Sequence, residues 1–313
     1  MKFHKRPLSS SDVKTKALAL GADLVGIADG AAIDASHISA LDAGRVIVLA
    51  KRLNEGVARI RRWDDRHKYY NDELALTHLE ETSLELVYWL EDCGYPALIV
   101  PPTHVDPSKY ENNPQAHLAP LLSLPHAAVE AGLGTLGLNL QLLTPEYGPR
   151  VILAAVLCSV EVECDRPMTQ ALCLGPSCGR CLKTCPGDAV QHWGRDWQAC
   201  DRHRSPHGFA QLTGHLEKII REENPGKRKE LLRSEDSFNL WQSILRGAGV
   251  VTGCRRCADV CPVGGDYAAM LADALEEIPE NTPEKERRLA EMLKGESPSY
   301  EAQKRFIGFL KPV

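Results

Sequence analysis

Eleven cysteines stand in this chain of 313 residues, and seven of them fall in two blocks. The first runs Cys173-Leu-Gly-Pro-Ser-Cys178-Gly-Arg-Cys181-Leu-Lys-Thr-Cys185-Pro186, and the second Cys254-Arg-Arg-Cys257-Ala-Asp-Val-Cys261-Pro262. Cys200 stands alone between them. Each block carries C-x2-C-x3-C-P, the later part of the bacterial iron–sulfur run, in which the last cysteine ligates the other cluster. Applied here, that crossing rule gives one cluster Cys173, Cys178, Cys181 and Cys261. The other takes Cys254, Cys257, Cys185 and, by elimination, Cys200. Each set then holds four thiolates, as a 4Fe-4S cubane requires. Cys173 departs from the usual spacing, with four residues rather than two before Cys178. A zinc site built from the two C-x2-C pairs is the competing reading. It uses only four thiolates and leaves both Cys-Pro endings unexplained. An odd cysteine total and the lack of a secretory segment point away from disulfides.

A second cluster of special residues, Gly132-Leu-Gly134-Thr-Leu-Gly137, matches the G-x-G-x-x-G dinucleotide fingerprint. That motif works only after a strand, at the opening of a crossover helix, with an acidic residue about 20 positions later. Here a helical pattern precedes the glycines, and Pro145 breaks the segment after them within a few residues. The acid is wanted near Leu157, inside an apolar run. A Rossmann nicotinamide site is therefore not expected. Three glycines in six residues instead allow positive φ and close approach of the backbone to a flat or bulky neighbour.

The elements that must position these residues can be read from periodicity. Ser10, Ser11 and Asp12 can cap a helix over 13–20 that stops at Gly21. Residues 22–28, 45–50, 97–100 and 151–162 read as strands. From about Asp72 to Cys93 the pattern is helical, with Leu76, Leu79, Leu86 and Leu90 on one face and Gly94 as the stop. Pro125 can open a shorter helix that reaches Ala131. Residues 1–165 thus form an α/β or α+β domain of ordinary size. The cluster segment, 166–275, carries a helical, charged insert at about 205–250. Residues 276–313 read as a helical tail.

The net charge of −5 argues against nucleic acid as a main partner, because phosphate binding depends on clustered Lys and Arg. No stretch approaches the roughly 20 apolar residues that span a bilayer. The N-terminus leads into a polar segment and not into a secretory signal. The expectation is a cytoplasmic protein, a compartment that suits iron–sulfur thiolates.

Three stretches together with the two cysteine blocks resemble one known superfamily. They are 17–27, Ala131-Gly-Leu-Gly-Thr-Leu-Gly-Leu-Asn139, and Leu142-Leu-Thr-Pro-Glu-Tyr-Gly-Pro-Arg150. The resemblance is to the cobalamin-dependent epoxyqueuosine reductases and reductive dehalogenases, and it covers most of residues 10–265. It implies a nitroreductase-like α/β domain that binds cobalamin, joined to a ferredoxin-like domain with two 4Fe-4S clusters. The whole is an α+β protein. Cys200 falls where epoxyqueuosine reductases place a lone ligand. By the same resemblance Gly132, Gly134, Gly137, Asn139, Tyr147 and Arg150 would contact the corrinoid.

Departures from the family also inform. Thr135 and Leu138 replace the tryptophan and lysine that epoxyqueuosine reductases usually carry in the glycine motif. The Thr-Pro-Glu-Tyr-Gly-Pro turn looks more like the dehalogenase branch. His117 occupies the place of an aspartate taken as general acid, and histidine can donate a proton near neutral pH. Tyr70 is a second candidate donor; for both residues a purely structural role is the alternative. A C-terminal repeat extension that would help hold tRNA is not expected here. The function implied is a cytoplasmic reductase taking electrons from a soluble ferredoxin- or flavodoxin-type donor and reducing a small organic molecule. The alternative is an electron-transfer or corrinoid-activating protein with no substrate chemistry of its own. A flavin in place of the corrinoid is a further possibility for such a domain.

Overall fold

A computed structural model describes residues 5–33, 43–58, 65–100, 122–196, 199–200, 203, 209–246, 254–265 and 280–297. Its centre is a four-stranded sheet. The strands are β1 (Leu24–Asp29), β2 (Arg45–Arg52), β3 (Ala97–Val100) and β6 (Val151–Cys158), in the order β1-β2-β6-β3. Every pairing is antiparallel. Two further short strands, β4 (Thr135–Leu136) and β5 (Leu142–Leu143), form a hairpin outside this sheet.

Both faces of the sheet are covered, because successive side chains of β2 and β6 alternate between two apolar clusters. Ile47, Leu49, Ala154 and Val156 face α1 (Ser10–Leu20) and α3 (Asp65–Asp92), meeting Val13, Ala17, Leu79, Leu86 and Leu90. Val46, Val48, Ala155 and Leu157 face α4 (Leu124–Glu130) and the hairpin, meeting Ala127, Ala128, Leu136 and Leu142. A short helix, α2 (Glu55–Ala58), lies between β2 and α3 in the chain. A capping box at Ser9 and Asp12 starts α1, and Gly21, at φ 119°, ends it. α4 can cross β1 closely only because residue 26 is glycine; a Cβ there would collide with the Ala131 carbonyl oxygen.

The periodic expectations for these elements agree with the structure within a few residues, and the run at 151–162 is strand over 151–158. The long helix begins earlier than its apolar face implies, at Asp65. Near its start, Lys68 and Asp72 meet the cysteine region.

After β6 the chain leaves the sheet, tied back to it by Asp165. This carboxylate accepts from the Ile27 amide at 2.8 Å and pairs with Lys14 at 2.5 Å. The cysteine segment then folds from short elements. These are α5 (Arg180–Lys183), the β7 (Val190–Gln191) and β8 (Gly194–Arg195) hairpin, and α9 (Arg256–Asp259). The insert supplies three helices, α6 (Phe209–Arg221), α7 (Pro225–Leu232) and α8 (Glu235–Arg246). Beyond them α10 (Pro283–Met292) packs Leu289 and Met292 against the first cysteine block. No helix among the described residues is long and apolar enough to cross a membrane.

Candidate cluster site

The two blocks fold alike. In each, the C-x2-C-x3-C spacing wraps one turn of helix, α5 or α9, and the last cysteine lies just beyond it. Thiols from opposite blocks come together. Burial pushes the Cys261 thiol up to about 11; Arg150 draws it back, and Cys173 and Cys178 lie close enough to raise it further. Cys181 is driven well up by burial and then by Cys257, Cys173, Cys261 and Cys178. Cys257 is raised to about 11 by burial, with Arg195 opposing and Cys200 and Cys185 adding to the rise. Cys261 thus has the first block's early cysteines as neighbours, and Cys257 has Cys185 and the lone Cys200 as well as Cys181.

Backbone amides point at the sulfurs. Leu138 and Gly175 donate to Cys173 Sγ at 3.4 and 3.3 Å, and Ala189 donates to Cys185 Sγ at 3.3 Å. Such donors stabilise thiolate and tune cluster potential. Buried thiols that raise one another's pKa give up their protons to a cation, and thiolates flanked by amide donors are the donor type of iron–sulfur clusters. The chemistry of these donors therefore fits iron–sulfur ligation. Among the described residues, no group of three or more His, Cys, Asp or Glu side chains is gathered for a single metal ion.

The glycine motif is the platform for this site. Gly132 lies at φ 71°, and a Cβ on it would press on the Arg166 carbonyl oxygen at 2.6 Å. On Gly134 a Cβ would collide with the Leu143 carbonyl oxygen. Thr135 Oγ1 accepts from the Leu172 amide at 3.0 Å. Leu138 is buried among Leu182, Val190, Trp193 and Leu289, which explains an apolar residue at this position. On the far side, Cys257 Sγ lies 3.4 Å from Gln141 Oε1, which also accepts from Asn139 Nδ2 at 2.8 Å. The hairpin 135–143 is therefore wedged between Cys173 and Cys257.

The turn after the hairpin docks the second block. A Cβ on Gly148, at φ 56°, would collide with the Val263 carbonyl oxygen, and Gly264 packs as tightly against Tyr147 and Gly148. Arg150 is only 1% exposed. Its guanidinium donates to the carbonyls of Ala258 and Cys261 at 2.9 Å each and to that of Val263. The residues expected at the corrinoid have these surroundings within the chain. Gly132 and Gly134 make room for the chain's own backbone, Asn139 faces the thiols, and Arg150 is inserted into the second block. Tyr147 is half-buried in the docking turn. Tyr70 is 50% exposed on α3. His117 lies outside the described residues.

Sequence reasoning missed a buried ionic quartet that joins α3 to the second block. Lys68 Nζ meets Asp259 Oδ2 at 2.5 Å, Arg255 Nη1 meets Asp72 Oδ1 at 2.5 Å, and Arg255 Nη2 lies 3.2 Å from Asp259 Oδ1. All four residues are buried. Desolvation pushes the Asp72 carboxyl up to about 6, against the pull of Arg255. The only sequence signal was a polar start to a helix otherwise patterned for the core.

Among curated proteins, the epoxyqueuosine reductase of Synechocystis sp. is 28% identical over 141 residues, 45% of this chain and 39% of that protein. The solved catabolic reductive dehalogenase NpRdhA shares the fold, with a TM-score of 0.50 over 90% of this chain and 35% of that one, at 17% identity. This chain is similar to epoxyqueuosine reductases and reductive dehalogenases. Both named activities of these relatives are reductions, carried out by oxidoreductases. An epoxyqueuosine reductase solved with an epoxyqueuosine-modified tRNA stem loop is 18% identical, with a TM-score of 0.47 over 88% of this chain and 69% of that one. No family model matches the chain. The chain spans well under half of the curated superfamily member it matches. The expectation against nucleic acid does not stand on net charge alone. That sum averages the whole surface, whereas a binding face is local.

Proposed function

We propose that the chain is an iron–sulfur reductase that receives single electrons from a soluble ferredoxin- or flavodoxin-type donor and delivers them to the α/β domain, where a small organic molecule is reduced. The observation that supports this most directly is the hairpin 135–143, one element of that domain touching both thiol sets at once. When bound, two 4Fe-4S clusters supply one-electron storage at two adjacent points. Cys173, Cys178, Cys181 and Cys261 would hold one, and Cys185, Cys200, Cys254 and Cys257 the other. The amides of Leu138, Gly175 and Ala189 favour the charged sulfurs, and the apolar packing of Leu138, Leu182 and Trp193 excludes water beside them. Reduced thiolates of this kind suit a cytoplasmic setting.

The superfamily implies a corrinoid as the acceptor. Gly132, Gly134, Gly137, Asn139, Tyr147 and Arg150 would be its contacts, with His117 and Tyr70 as candidate proton donors. Anaerobic reconstitution with iron, sulfide and hydroxocobalamin tests the proposal. About eight irons per chain, as two cubanes require, together with a cobalt EPR signal that stays with the protein through gel filtration, is the expected result. Half that iron or less overturns the two-cluster reading. Full iron with no retained cobalt leaves the alternative, an electron-transfer protein without corrinoid chemistry of its own.

A further inference from the structure

The two blocks share one more feature, and it comes from outside both. In each, the carbonyl of the last cysteine accepts a hydrogen bond from a buried cation. Arg150 Nη1 donates to Cys261 O at 2.9 Å, and Lys285 Nζ donates to Cys185 O at 2.6 Å. The surroundings also correspond. Arg150 reaches Ala258 O within α9, and Lys285 reaches Lys183 O at the end of α5 at 3.1 Å. A third carbonyl completes each set, Val263 O for Arg150 and Glu280 O for Lys285, the latter at 2.6 Å. Arg150 is 1% exposed and Lys285 3%. One cation ends the turn that leads into β6; the other lies in the first turn of α10. They are unrelated in sequence and alike in placement.

A buried cation normally finds a carboxylate. Asp188 is 3.8 Å from Lys285 and itself 62% exposed, a weak partner. Arg150 is bonded to three carbonyls of the second block. Each cation thus carries its charge within hydrogen-bond reach of one cysteine's backbone and acts on whatever lies beside that cysteine. In a low-dielectric surrounding that action is strong.

We propose that Arg150 and Lys285 are a matched pair of positioning residues, each fixing one crossing cysteine and each raising the reduction potential of a different cluster. The inference rests on the two-cluster reading above. Cys261 belongs to the set of Cys173, Cys178 and Cys181, and Cys185 to that of Cys254, Cys257 and Cys200. A positive charge favours the reduced, more negative cluster, and net charge is one of the quantities that set these potentials. Arg150 therefore acts mainly on the first cluster and Lys285 mainly on the second, which gives the chain two separate controls on the direction of electron flow.

The test is a potentiometric titration followed by EPR on reconstituted wild type, Arg150→Met, Lys285→Met, Arg150→Lys and Lys285→Arg. Two reduction waves are expected in the wild type. Arg150→Met should move one wave to lower potential, Lys285→Met the other, and the charge-preserving variants should return each wave toward its wild-type position. Should Arg150→Met retain less iron than the wild type, Arg150→Lys and Lys285→Met carry the test. The first must keep both waves in place, and the second must move one. Waves that stay put in both Met variants, or a single wave that moves in both, overturn the inference. So does a Lys or Arg exchange that shifts a wave as far as Met does. A wild type lacking about eight irons fails the two-cluster reading instead, so the two failures are distinct.

Discussion

At the scale of single residues, thiols far apart along the chain are neighbours in space. Cys261 belongs with Cys173 and Cys178, far earlier in the chain, while its own block partner Cys257 lies with Cys185 and Cys200. Cys200 carries the sharpest test of this division because nothing in a motif demands it. Changing Cys200 to Ser removes one thiolate from the second set and leaves the first intact. Iron per chain is expected to fall toward half of the wild-type amount, with one EPR wave lost and the other kept. Unchanged iron would remove Cys200 from the ligand set. Cys93 and Cys158, by contrast, are buried among Ile47, Leu90 and Val156 and serve as small apolar residues.

Among the elements, the glycines explain more about docking than about ligand binding. Gly148 sits with positive φ where the Thr-Pro-Glu-Tyr-Gly-Pro turn meets Val263. A Cβ there faces both backbone strain and collision with a carbonyl that cannot move aside. Gly148→Ala is expected to separate this turn from the second block and to lower retained iron, read by metal analysis after gel filtration. Gly214→Ala is the matched control. It lies in helix α6 with open space at its Cβ, so iron should be unchanged and stability raised by up to about 1 kcal/mol. The glycine motif was legible in sequence as a place of close approach. What it approaches was not, because its partners, Arg166, Leu143 and Cys173, are selected by how hairpin and cysteine segment stack.

For the whole molecule, the quartet of Lys68, Asp72, Arg255 and Asp259 joins the helix that covers the sheet to the second cysteine block. Two cations and two carboxylates balance, and removing one partner from a buried pair costs about 3–5 kcal/mol. The quartet also makes domain docking depend on pH. The Asp72 carboxyl stands at about 6 in the folded chain against 3.8 in its ordinary state. Between about pH 4 and 6 the folded chain therefore binds more protons than the unfolded one, and the stability from this group falls as pH rises. Urea unfolding of wild type and Asp72→Asn at pH 5, 6 and 7 checks the sign. The stability of the wild type relative to the variant should decline from pH 5 to pH 7, and a constant difference would contradict the raised carboxyl.

The cysteine spacing and the apolar periodicity were enough to indicate two alike cysteine blocks and a covered sheet, and the resemblance to reductases rested on the glycine motif and the turn after it as well. Those properties are local: C-x2-C-x3-C wraps one helical turn wherever it stands, and an unbroken apolar strand needs two covered faces. The destination of Arg150, the partners of Lys68 and the sealing of the first block by Lys285 and Leu289 are contacts across 100 residues or more in sequence. No periodicity records such contacts, since a buried cation and a surface cation are the same letter. Only the stacking of the cysteine segment on the sheet and its helices took those charges out of water and set them against the backbone of the cysteines.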